Sequence, residues 1–123
     1  MEKILVIEDN EDNLAVVESY LEDDYHIVSS DNGEDGIEMA KKEQPGVILL
    51  DISLPNMDGV EVLKCLKEDE ECKNIPVVAL TAHAMVGDKE KFLQKGFDEY
   101  ISKPIVDDEE LMQKIETLLR LKK

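Results

Sequence analysis

The chain has 123 residues, which suits one domain and leaves no room for a second. Its 30 acidic residues outweigh its 14 basic ones, for a formal charge of −16. No basic run offsets that field, which excludes binding to nucleic acid and to anionic membrane surfaces. The 42% share of hydrophobic residues is ordinary for a globular core and argues against disorder.

The first apolar run, Ile4 to Ile7, is too short for a signal segment or a membrane span. It reads as a strand over Lys3 to Ile7, in a protein expected to be cytoplasmic and without membrane insertion. Leu14, Val17 and Leu21 then fall on one face of a helix that Asn10 or Asp12 could cap. His26 to Ser29 is a shorter strand candidate. Ile37 and Ala40 sit in a second helix, opened near Gly33 and closed before Pro45.

Gly46 to Leu50 is a continuous apolar run and a third strand. A helix carrying Val60, Leu63 and Leu66 follows Asp58-Gly59. Cys65 and Cys72 fit neither a disulfide framework nor a metal-ligand spacing, and read as free thiols in a reducing compartment. Pro76 to Leu80 is the fourth strand. A helix with Phe92 and Leu93 stops at Gly96, a residue suited to a C-cap. Glu99 to Ser102 is a weak fifth strand. Leu111, Met112, Ile115, Leu118 and Leu119 repeat at helical spacing to the end, after the acidic run Asp107 to Glu110.

Strand and helix thus alternate five times. Apolar runs without alternation belong to strands buried on both faces, as in a parallel sheet covered by helices. The expected fold is α/β, a flavodoxin-like (βα)5 doubly wound sheet with strand order 2-1-3-4-5, forming one domain over 1–123. Ligands of such sheets bind at the carboxyl ends of the strands, here between the first and the third.

Glu8-Asp9 and Asp51 stand at those two ends. One acidic residue after a strand is ordinary turn or cap chemistry. Three at one rim repel each other and call for a hard cation. Oxygen ligands without Cys, and with His26 and His83 too isolated to join them, suit Mg²⁺ rather than zinc, with Mn²⁺ as a substitute. Thr81-Ala82 and Ser102-Lys103-Pro104 end the fourth and fifth strands. A threonine hydroxyl can donate to a phosphoryl oxygen and a lysine can neutralise its charge. Singly, each is a plain strand or surface residue; together they outline a phosphate site.

Glu8-Asp9, Asp51, Thr81 and Lys103-Pro104 resemble the signature of response-regulator receiver domains of two-component systems. Leu54-Pro55-Asn56-Met57-Asp58-Gly59 and Tyr100-Ile101-Ser102-Lys103-Pro104 extend the match over the whole chain. It is most similar to stand-alone receivers of the DivK kind and to receivers appended to hybrid histidine kinases.

That resemblance implies a signalling module, a phosphoprotein of a phosphorelay rather than an enzyme in the usual sense. Asp51 would be the phosphoacceptor, taking its phosphoryl group from a histidine kinase or a histidine phosphotransfer protein. Asp9, Asp51 and the Ser53 backbone carbonyl would bind Mg²⁺ directly, and Glu8 through a water. Lys103 would pair with the phosphoryl group across a cis Lys103-Pro104 bond. Thr81 would be drawn to that group and Tyr100 would turn inward, unless Tyr100 is simply a rim aromatic. The fourth helix, fifth strand and fifth helix would carry the signal to a downstream protein. His83, Ala84, Met85, Val86 and Phe92 lie near that face, where Met85 and Val86 serve either partner binding or the core. Ser53 and His83 would tune the lifetime of the phosphoryl group.

Rival readings are a fragment of a hybrid kinase or larger regulator, and a Mg²⁺-dependent phosphatase with an aspartate nucleophile. Met1 and the Lys122-Lys123 finish favour a receiver alone. A phosphatase would carry a carboxylate two residues after the nucleophile, where Ser53 stands. A flavin carrier would need a phosphate loop after the first strand, and Glu8-Asp9 stand there instead. A receiver that binds partners without phosphorylation is disfavoured because every chemical position is filled.

Overall fold

The apolar runs become strands because both of their faces are covered. In the computed structural model, which describes residues 2–54, 57–82, 88–103 and 108–122, five strands form one parallel sheet. They are β1 (Lys3–Ile7), β2 (His26–Ser30), β3 (Val47–Asp51), β4 (Val77–Thr81) and β5 (Glu99–Ser102). The helices are α1 (Glu11–Leu21), α2 (Gly33–Glu43), α3 (Gly59–Glu68), α4 (Asp88–Lys95) and α5 (Asp108–Lys122). The sheet order is β2-β1-β3-β4-β5, the order that the alternating elements predict.

Successive residues of a strand feed opposite cores. Leu5 and Ile7 of β1, with Ile48 and Leu50 of β3, pack with Ala40, Val62, Leu63, Leu66 and Phe92 from α2, α3 and α4. Ile4, Val6, Val47 and Leu49 point the other way, onto Val17 and Leu21 of α1 and Leu111, Ile115 and Leu118 of α5. Every residue of β3 and β4 is buried. Fully burying one such side chain stabilises by about 1.5–3 kcal/mol, so the central strands are the most firmly held part of the molecule.

Short polar side chains fix the helix starts. Asn10 caps α1 by accepting from Asn13 N–H at 2.9 Å, which decides between the two candidate caps; Asp12 lies inside the helix. Asn32 caps α2 and Asp58 caps α3 in the same way. Gly96 after α4 has φ +111°, a conformation that side chains with a Cβ rarely adopt, and so ends the helix as expected.

Some local expectations differ, among them the end of β2, which runs to Ser30 rather than Ser29. Val60 is exposed and Val62 takes the core position of α3, because the buried face runs through Val62, Leu63 and Leu66. Asp108 to Glu110, by contrast, form the first turn of α5, beside the positive end of the helix dipole as expected. Gly46 and Pro76 precede β3 and β4, which run one residue further, to Asp51 and Thr81. His83, Ala84, Met85, Val86, Pro104 and Asp107 lie outside the described residues.

Candidate functional site

Backbone pairing delivers the site. Asp51 is the last residue of β3 and pairs with Leu80, while Thr81 ends β4 and pairs with Ser102. Lys103 N–H donates to the Thr81 carbonyl at 2.7 Å, which sets the first residue beyond β5 against the end of β4. Glu8 N–H, just past β1, donates to the Ser30 carbonyl at 2.9 Å. All these groups therefore emerge at the same edge of the sheet.

The side chains converge there. Carboxylate oxygens of Glu8, Asp9 and Asp51 lie within 4.8 Å of one another. Glu8 and Asp51 are 1% and 3% exposed, whereas Asp9 opens to solvent, so the cluster has a dry floor and a wet entrance. The Lys103 ammonium bridges the floor, 2.8 Å from Glu8 Oε1 and 3.1 Å from Asp51 Oδ2. Ser53 N–H donates to Asp51 Oδ1 at 2.9 Å, fixing one oxygen and turning the other to Lys103. Thr81 is buried, with 1% of its surface exposed.

Burial raises the Glu8 carboxyl to about 7, helped by its hydrogen bond with Asp51 and opposed by Lys103 and Asn13. Burial also acts most strongly on Asp51, in the raising direction. Hydrogen bonds from Glu8, Ser53 N–H and Lys103 together outweigh it and hold Asp51 below the ordinary carboxylate range. For Lys103 burial is again the largest influence and favours the neutral form, but its two carboxylate partners prevail and raise it. The floor of the site therefore holds an ionised Asp51 beside an ammonium.

A resident cation fits this donor set. Three acidic side chains face one ammonium in a partly dry recess, so acidic oxygen donors outnumber the one cation. All the acidic donors are hard oxygens, suited to magnesium. A cavity of about 380 Å³ opens beside Glu8 and Asp9, lined also by Glu11, Ser30 and Asp35.

Gly59 fits the loop after Asp51 to α3. A Cβ there would meet Ile52 Cα at 2.5 Å and the Asp51 carbonyl at 2.9 Å, so only glycine lets the helix start this close behind Asp51. Its N–H donates to the Ile52 carbonyl at 3.2 Å, closing the turn.

The structure brings Glu8, Asp9, Asp51 and Lys103 together, with Ser53 on Asp51 and the Thr81 backbone on Lys103. Tyr100 stands apart from this group. It is half-buried, its ring 5.9 Å from that of Phe92 on α4. Sequence reasoning missed two features. Lys103 grips Glu8 as well as Asp51, a contact spanning 95 residues that no local pattern reveals. Asn13 hydrogen-bonds the Glu8 side chain; its only signal is its place in the first turn of the helix that follows Glu8-Asp9.

Known proteins share this arrangement. Residues 4–116 match the family model of the response regulator receiver domain. Over 103 residues the chain is 43% identical to the polar-differentiation response regulator DivK of Brucella anthropi, covering 83% of this chain and 84% of that one. The receiver domain of a sensor histidine kinase from Pseudomonas aeruginosa, solved with a magnesium ion in its active-site cleft, is 31% identical. It superposes with a TM-score of 0.87 over 97% of this chain and 98% of that one. The chemotaxis protein CheY4 of Vibrio cholerae shares the fold, with a TM-score of 0.86 at 24% identity over 96% of this chain and 98% of that one.

Proposed function

The chain belongs to the response regulator receiver domain family, a signalling module of two-component systems, and on that premise we propose that Asp51 is its phosphoacceptor. The observation that carries this reading is the Asp51 carboxylate at the sheet edge, 3.1 Å from the Lys103 ammonium and clustered with Glu8 and Asp9. The proposed extent of the domain is 1–123, consistent with the family match over 4–116.

A receiver domain implies a phosphodonor and a downstream target. The proposed donor is a phosphohistidine on a histidine kinase or a phosphotransfer protein. An Asp51 carboxylate oxygen attacks its phosphorus, the P–N bond breaks, and the electron pair returns to the donor imidazole. An acyl phosphate on Asp51 results. Ser53 N–H orients the carboxylate for this attack. Lys103 exchanges one anionic partner for another as the phosphoryl oxygens arrive, and the Thr81 hydroxyl donates to one of them. Such transfer is governed by positioning and charge neutralisation. Asp9, Asp51 and the Ser53 backbone carbonyl would hold magnesium, with Glu8 acting through a water, and the ion would supply the remaining neutralisation, with manganese as a substitute.

The added charge then biases a bistable element. Thr81 moves toward the phosphoryl group, Tyr100 turns inward, and the face of α4, β5 and α5 changes for its protein target. Ser53 and His83 set how fast water removes the group; unchanged decay of phospho-Asp51 after replacing both would refute that role. The proposed compartment is the cytoplasm, where donors are charged from ATP. Among the described residues no helix is long and apolar enough to cross a membrane.

The direct test is mass spectrometry after incubation with acetyl phosphate and Mg²⁺. Wild type should gain one phosphoryl group and Asp51→Asn none. A persisting adduct in the variant would remove Asp51 from its role.

A further inference from the structure

We propose that Lys114 is a positioning residue for the Tyr100 switch, holding that tyrosine in its unphosphorylated setting from the neighbouring helix. The inference rests on the reading of Tyr100 given above and adds the group that restrains it.

Lys114 grips Tyr100 twice. Its ammonium donates to the Tyr100 carbonyl at 2.7 Å, and it sits 5.1 Å from the centroid of the ring. The first contact fixes the strand and the second fixes the side chain, because a cation over an aromatic face is attracted by the ring quadrupole. On α4 the ring of Phe92 lies 5.9 Å from that of Tyr100, inclined at 34°. Tyr100 is therefore bound to α4 by one contact and to α5 by the other, across the three elements of the proposed output face. A ring that turns toward Thr81 has to leave the ammonium.

The release is feasible because Lys114 has other partners. Glu99 lies 3.7 Å from its ammonium and Glu110, one helical turn back, 3.2 Å. A cavity of about 200 Å³, lined by Glu99, Gln113, Lys114, Thr117 and Leu118, gives the side chain room to shift. When the ring departs, the charge remains paired, and only the ring contact is lost. Two arrangements of similar energy are what a switch requires. Inward rotation of Tyr100 thus removes one contact of Lys114 and lets its ammonium shift among its remaining partners on the α5 face.

The test is ¹⁹F NMR of protein labelled with 3-fluorotyrosine, the Tyr100 signal being assigned with Tyr100→Phe. Spectra are taken with Mg²⁺ alone and with Mg²⁺ plus beryllofluoride as the phosphoryl mimic. In wild type, beryllofluoride should move the Tyr100 signal. Lys114→Met, which keeps the length of the stem, should move the Mg²⁺-only signal part of the way to the beryllofluoride position. The same variant should be phosphorylated by acetyl phosphate about fivefold faster, the factor expected for losing a partly exposed cation–π contact. Lys114→Arg keeps the charge and should restore wild-type behaviour in both readouts.

A Lys114→Met signal and rate equal to wild type, while wild type still responds to beryllofluoride, would overturn the role of Lys114 alone. Lys114→Arg behaving like Lys114→Met would also overturn it, since the positive charge would then not be the cause. No response of Tyr100 in wild type would overturn the switch reading and this inference together.

Discussion

Asp51 and Cys72 illustrate how burial acts on an ionisable group with and without compensation. Both are almost fully buried. Around Asp51, hydrogen bonds from Glu8, Ser53 and Lys103 more than offset desolvation, and the group stays a carboxylate. Around Cys72, burial is reinforced by the nearby Asp69 charge, and the thiol is pushed up to about 11. Cys65, seven positions earlier on α3, is exposed. At pH 8 iodoacetamide should therefore label Cys65 and spare Cys72, with both labelled after unfolding in guanidinium. Peptide mass spectrometry reads the result; equal labelling of the folded protein would contradict the burial of Cys72. The long reach of Lys103 to Glu8 belongs to the same scale. Neither residue announces the other in sequence, yet their pairing places an ammonium on the floor of the site.

Caps and close approaches decide where the helices begin. Asn32 accepts the Asp35 N–H at 2.8 Å at the start of α2, and it makes no direct contact with Asp51 among the hydrogen bonds of the described residues. Asn32→Ala should cost about 1 kcal/mol in urea unfolding, the usual worth of such a cap, and leave Asp51 phosphorylation unchanged. Gly59 is different. Adding a methyl group there drives it into Ile52 Cα and the Asp51 carbonyl, backbone atoms that cannot swing aside. Gly59→Ala should cost about 2 kcal/mol or more, as strain at a crowded backbone does. It should also slow phosphorylation by acetyl phosphate, because the displaced turn carries Asp51, the proposed acceptor. A variant as active and stable as wild type would show that the approach of α3 to the loop is looser than its geometry requires. The motif Asp58-Gly59 was legible in the sequence as a helix start; why glycine must follow the cap became visible only with β3 and α3 packed together.

The whole molecule carries a formal charge of −16, and its self-repulsion opposes compactness. Added NaCl should raise Tm from its value at low ionic strength, since screening shortens the range of that repulsion to about 8 Å at physiological salt. MgCl2 at matched ionic strength should raise Tm further, because a bound divalent ion stabilises the folded state by mass action. Asp9→Asn, which removes the solvent-facing carboxylate of the cluster, should abolish that extra increment while keeping the NaCl effect. Equal Tm values in the two salts for wild type would count against a magnesium site. Calorimetry or a thermal CD scan suffices for both measurements.

The strand sequence by itself determined the architecture. Uninterrupted apolar runs such as Ile4 to Ile7 and Val47 to Leu50 can be satisfied only where both faces are covered, and helical stretches between them supply the cover. From that followed the parallel sheet, and from the sheet the edge at which Asp9, Asp51, Thr81 and Lys103 had to gather. Tertiary structure decided what no spacing encodes: that Val62 rather than Val60 faces the core, and that Lys103 spans Glu8 and Asp51. It also decided that Lys114 reaches from α5 to both the backbone and the ring of Tyr100. Periodicity fixes which face of an element is apolar. Partners across 14 or 95 residues depend on how those faces dock, and docking is a property of the packed molecule.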